Sequence, residues 1–147
     1  MKRNELTSFY LDALLLIVAF VAIILVLTGV YGTARAQSAD AKELTQAVML
    51  ASNAAEAVAA ADSPEQAAAM LDEGGNVRIS DGKIEACYFS DGSPCTDGKG
   101  DLLLTVTWEP SAEDPGLVES RITVSAADDG ETVYMLETAS FKKEAAA

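Results

Sequence analysis

Three kinds of side chain in this sequence have a type and spacing that could do chemistry. They are a pair of cysteines, a set of clustered carboxylates, and one aspartate at the mouth of an apolar run. Cys87 and Cys95 flank the segment YFSDGSP, whose turn-forming residues can bring the two Cα atoms within disulfide range. In an oxidising compartment so short a closed loop is worth about 2–3 kcal/mol. Two reduced thiols are the competing reading. The pair lacks the CxxC spacing of a redox-active dithiol, and two cysteines are too few for a four-ligand zinc site. Asp91, Asp97 and Asp101, and again Asp128, Asp129 and Glu131, place hard oxygen ligands on turns, which suits calcium. Neither cluster has an EF-hand loop's glycine at its sixth position or glutamate at its twelfth, and solvated turns account for both.

The chain contains no histidine, so it lacks the commonest general base and metal ligand at neutral pH. No phosphate-cradling glycine loop or nucleophile elbow occurs, and no two carboxylates are singled out as a glycosidase pair. These residues therefore nominate no catalytic group, cofactor site or metal site, and the expected function is not enzymatic.

The remaining candidate, Asp12, takes its meaning from the residues C-terminal to it. Ala13 to Ala34 are 22 residues without a charge, dominated through Leu27 by Leu, Ile, Val, Ala and Phe. As a helix rising about 1.5 Å per residue, this run reaches across the roughly 30 Å of a bilayer's hydrocarbon core. Lys2 and Arg3 precede it, and the positive-inside bias puts the N-terminus in the cytoplasm. The run is longer than the hydrophobic part of a secretory signal, and the helical pattern continues past Ala34-Arg35-Ala36, the small-x-small site at which such a signal would be cut to leave Gln37 first. Asp12 then sits either at the membrane interface in contact with water or inside an assembly with a cationic partner.

The charge is unevenly spread. Of 10 basic and 23 acidic residues, Lys2, Arg3, Glu5 and Asp12 precede Arg35, which leaves 8 basic against 21 acidic from there on. The net charge of −13 therefore lies beyond the apolar run, and such a surface repels phosphate backbones, so no nucleic-acid partner is expected.

From Arg35 the helical pattern goes on to about Ala61. Ala41, Leu44, Val48, Ala51, Ala55 and Val58 recur at spacings of three and four and define a narrow seam for close packing. Asp62-Ser63-Pro64 interrupts it. Ser63 can cap, Pro64 suits a first helical turn and Gln66 completes a capping box, so a short second helix runs to about Leu71 before Gly74-Gly75 stops it.

A short basic leader, MKRNELTS, precedes Phe9, an apolar helix with an acid near its start, about 53 residues of unbroken helical pattern and a β-rich remainder. This layout resembles a type IV pilin or pseudopilin over the whole chain. The resemblance implies cleavage by a prepilin peptidase between Ser8 and Phe9, and side-by-side packing with other pilin-like subunits. It also implies a role in assembly for Asp12, pairing with a neighbour's terminal amine. The family has glycine before the cut and glutamate as fifth residue of the mature chain. Here Ser8 precedes Phe9, Ala13 is fifth and Asp12 fourth. Some pseudopilins hold calcium in a C-terminal loop.

From Asn76 the period shortens to two. NVRIS and KIEACYFS flank Asp81-Gly82, a type I′ hairpin signal. DLLLTVTW turns Leu102, Leu104, Val106 and Trp108 to one face, with Trp108 expected to be prominent in the core. Strands near Leu117–Ala126 and Thr132–Phe141 complete the set.

The expected fold is therefore α+β, a long N-terminal helix packed on a small antiparallel β-meander. The expected organisation is a leader over 1–8, a transmembrane helix over 9–34, a stalk and second helix over 35–75, a sheet over 76–141 and a disordered tail over 142–147. Its partners would be membrane lipid and other pilin-like subunits, its location the cell membrane, with a single pass and the C-terminal domain outside. The alternative is a membrane-anchored binding or sensing domain using loops near Asp91–Asp101 and Ala112–Pro115.

Overall fold

The computed structural model describes residues 2–114 and 116–142. The chain divides into two units, 1–41 and 42–147. Helix α1 (Lys2–Ala60) is unbroken for 59 residues. Lys2–Ser8, the described part of the basic leader, is already helical ahead of Phe9. The 143–147 part of the expected tail lies outside the described residues.

Within the first unit, α1 offers apolar side chains in every direction, from Phe9 at 70% exposure through Leu16 at 71% to Tyr31 at 70%. A helix that is apolar all round is one suited to lipid or to other helices. Its length and composition suffice to cross a membrane. Two threonine hydroxyls here are satisfied by the helix itself. Thr28 Oγ1 donates to the Ile24 carbonyl at 2.8 Å and Thr33 Oγ1 to that of Gly29 at 3.1 Å.

In the second unit, α1 is followed by α2 (Pro64–Leu71) and strands β1 (Val77–Ser80), β2 (Lys83–Tyr88), β3 (Leu102–Pro110), β4 (Leu117–Ala126) and β5 (Thr132–Phe141). Ser63 caps α2, its hydroxyl accepting from the Gln66 amide at 3.2 Å. The Gln66 side chain accepts in return from the Asp62 amide at 2.9 Å, one residue earlier than a standard capping box. The five strands form one antiparallel sheet in the order β1-β2-β3-β4-β5. Asp81 and Gly82 close the first hairpin with φ of 51° and 75°, the paired positive values of a type I′ turn.

One face of the sheet is covered by the two helices. Ile84, Ala86 and Tyr88 of β2, Leu102, Leu104 and Val106 of β3, and Ile122 and Val124 of β4 share a core with Ala67, Ala68 and Leu71 of α2 and an alanine-rich stripe of α1. That stripe is Ala47, Leu50, Ala51, Ala54, Ala57 and Val58, continued by Ala61 just past the helix end. The sequence-based seam is correct at Ala51 and Val58. Val48 and Ala55 are only half-buried, and Ala41 and Leu44 are exposed, Leu44 at 47%. The cause is the alanine content. Small apolar residues occupy two adjacent stripes of the helix, so periodicity alone does not choose between them, and the sheet settles on the stripe that admits the closest approach.

Trp108 is half-buried at the margin of this core rather than its centre. The largest fully buried side chains are Ile84, Leu102, Leu104 and Ile122.

Candidate functional site

The residues singled out by sequence fall in three places, the start of α1, the end of β2 with the connection after it, and the β4–β5 turn. Ser8, Phe9 and Asp12 lie on α1 and are all exposed. Phe9 and Asp12 are three residues apart on a helix, which makes them neighbours on one face about 4.5 Å apart along the axis. The Phe9 ring meets that of Tyr10 edge-on at 6.2 Å. Further along, Gly29 and Gly32 have open space where a side chain would stand, so the helix surface is hollow beside Leu25, Val26 and Thr33. Such a hollow can receive a side chain from another helix.

The second region is the long connection from β2 to β3, residues 89–101. Its geometry is fixed largely by aspartates accepting from nearby amides. Asp91 accepts from the Ser93 amide at 2.9 Å and from its hydroxyl, Asp97 from the Lys99 amide at 3.1 Å, and Asp101 from the Ser90 amide at 2.8 Å. The Ser93 hydroxyl, aided by its amide, holds the Asp91 carboxyl below the ordinary aspartate range. Asp97 is lowered likewise, first by the Cys95 thiol, which donates to it at 3.1 Å, and then by the Lys99 amide. In the β4–β5 turn, Asp128 and Asp129 accept from the Asp129 and Glu131 amides, each at 2.9 Å. These acids act as turn locks. Among the described residues no three His, Cys, Asp or Glu side chains gather as a metal-binding group.

Cys87 and Cys95 are both free thiols in this structure. They stand opposite each other because the loop folds back beside β2. The Cys95 amide donates to the Cys87 carbonyl at 2.9 Å, the Phe89 amide to that of Ser93 at 2.9 Å, and Tyr88 and Pro94 form an antiparallel bridge between them. Burial raises the Cys87 thiol pKa, and its contact with the Cys95 thiol adds to the rise.

Sequence reasoning did not single out two residues that organise this unit. Asn76, buried, accepts from the Glu73 amide at 2.9 Å through its side chain and from the Cys87 amide at 3.1 Å through its carbonyl, joining the end of α2 to β2. Lys142 reaches back from the end of β5. Its ammonium donates to the carbonyls of Val58, at 2.7 Å, and Ala61, and lies 4.9 Å from the centre of the Trp108 ring. Nothing local in the sequence marks this lysine, which follows Ala61 by 81 residues.

Of the loops considered for ligand binding, 91–101 is the aspartate-locked segment just described, and position 115 of the other falls outside the described residues. The outer sheet face carries an exposed Arg121–Glu137 ion pair at 2.9 Å, a contact of small energetic weight in water. No protein-family model, curated protein or solved structure matches the chain.

Proposed function

We propose that this chain is a non-enzymatic, pilin-like membrane subunit of a type IV pilus or a pseudopilus-type filament or secretion assembly. The observation that carries the reading is α1 itself. It is one helix, uncharged and apolar on all sides from Ala13 to Ala34, and carrying an antiparallel meander on an alanine stripe from Ala47 onward.

In this reading the span rests in lipid with Lys2 and Arg3 on the cytoplasmic side and the acidic sheet unit outside. Assembly exchanges lipid contacts for helix contacts, so the apolar surface never meets water. The small residues Gly29, Gly32 and Ala34 let neighbouring helices approach closely.

Cleavage by a prepilin peptidase after Ser8 would leave the ammonium of Phe9 at the start of the helix and Asp12 in its first turn, where a carboxylate is favoured by the helix dipole. Inside a packed filament that carboxylate needs a cation, and the terminal amine of a neighbouring subunit supplies one. Because the Ser8–Phe9 bond lies within α1, the peptidase must first unwind the helix start.

Intact mass of membrane-extracted protein tests the proposal. A mature chain starting at Phe9 supports it. An intact N-terminus at Met1 points instead to a tethered binding or sensing domain, and a start at Gln37 to secretion.

A further inference from the structure

We propose that Cys87 and Cys95 form a redox-controlled disulfide staple that clamps the 89–94 loop against α1. The inference concerns only the second unit and is independent of the assembly reading.

The pairing supplies the geometry. With Tyr88 bridged to Pro94 and single amide–carbonyl bonds on either side, Cys87 and Cys95 occupy directly opposed positions of a short antiparallel ladder. Opposed residues of an antiparallel ladder have Cα atoms about 4.5–5.5 Å apart and point to the same face. Here one bond links the pair, from the Cys95 amide to the Cys87 carbonyl, while the Cys87 amide goes to Asn76. A disulfide spans Cα separations of about 4.4–6.8 Å, so the ladder brings the two backbones within bonding range. Each sulfur now has a partner to give up, Cys95 donating to Asp97 at 3.1 Å and Cys87 accepting from the Gly100 amide at 3.2 Å.

An oxidant has access. Both sulfur-bearing residues line a surface hollow of about 300 Å³ beside Asn76, Arg78 and Leu103. Cys87 is half-exposed and Cys95 buried, which assigns the roles. The Cys87 thiolate attacks one sulfur of a low-molecular-weight disulfide such as oxidised glutathione, and a mixed disulfide forms as one thiolate leaves. The Cys95 thiolate then attacks the Cys87 sulfur and expels the second thiolate. Two protons and two electrons pass to the oxidant, which becomes two thiols.

The bond acts on the loop between the cysteines. Gly92, at its tip, lies so close to α1 that a side-chain carbon there would stand 2.7 Å from Gln46 Oε1. Gln46 sits immediately before Ala47, where the sheet-covered stripe of α1 begins. Closing the nine residues from Cys87 to Cys95 therefore restrains the loop that touches the helix at the start of their shared core.

The full chain in detergent is equilibrated with oxidised glutathione, denatured and treated with iodoacetamide, beside a sample first reduced with dithiothreitol. The expected result is no alkylation in the first sample, two alkylated cysteines in the second, and chymotryptic cleavage after Phe89 slowed about tenfold by oxidation. Cys95→Ser should hold glutathione on Cys87 and lose the protection. Alkylation of both cysteines after oxidation, or a stable glutathione adduct on wild-type Cys87, overturns the bond. Formation of the bond with unchanged cleavage after Phe89 overturns the clamp.

Discussion

Replacing Lys142 with methionine keeps the aliphatic stem beside Trp108 and removes the ammonium. Two carbonyls at the end of α1, those of Val58 and Ala61, then lose their donor, and the cation leaves the Trp108 ring. A hydrogen bond from a charged donor contributes about 1.5–3 kcal/mol where water is excluded. Lys142 is only half-buried, and its desolvation, which lowers its pKa against the opposing Asp62 carboxylate, offsets part of that gain. About 1 kcal/mol for each carbonyl and about 0.5–1 kcal/mol for the ring gives a loss of roughly 2–3 kcal/mol.

For a unit of about 100 residues the unfolding entropy is near 0.2 kcal/mol/K, so the midpoint should fall by about 10–15 °C. Trp108 is the single tryptophan, so its fluorescence reports on the sheet unit without interference from the apolar helix. The assay is thermal unfolding of the detergent-solubilised chain followed by that fluorescence, with exposed Lys99→Met as the control for loss of a charge. A Lys142→Met midpoint within about 2 °C of wild type would refute the argument that the C-terminal segment fastens the end of α1.

Three further outcomes are expected. Ala54→Leu, at a fully buried site on the sheet-covered stripe, should destabilise the unit by about 1–3 kcal/mol through overpacking, whereas Ala59→Leu on the exposed side should be near neutral in the same unfolding assay. Asp91 and Asp97 both have folded-state pKa values depressed below the ordinary 3.8. The order they impose on residues 90–99 should therefore be complete above 3.8 and lost only as pH falls through their lower values, which amide exchange in that loop would follow. Asp12→Ala should leave the amount of membrane-bound chain unchanged but reduce its recovery in sheared filaments by about tenfold, the loss expected when a packed carboxylate and its cationic partner are worth ~1.4 kcal/mol. Unchanged recovery would make Asp12 a marker of the membrane boundary only.

The strands were legible in the sequence because each alternates: Leu102, Leu104 and Val106 against Leu103, Thr105 and Thr107 leave a single sensible orientation. Asp81-Gly82 and Ser63-Pro64 were legible because backbone geometry at those positions is a local property. The buried face of α1 was only half legible, since a stripe of alanines looks alike in either of two rotations. Lys142 was not legible at all. Its partners lie 84 and 81 residues away, and nothing local marks a lysine in a charged tail as a helix cap. For the cysteines, spacing indicated proximity, but their direct opposition depends on the loop folding back along β2 at Tyr88 and Pro94.

The assembly account depends on the apolar part of α1 meeting other helices of its kind. A photo-crosslinking residue at Leu16 or Leu25, exposed at 71% and 67%, samples two levels of that surface in living membranes. The account predicts covalent adducts at both positions joining this helix to a second copy or to another pilin-like helix. Adducts to lipid alone, with the chain monomeric at both positions, would contradict it.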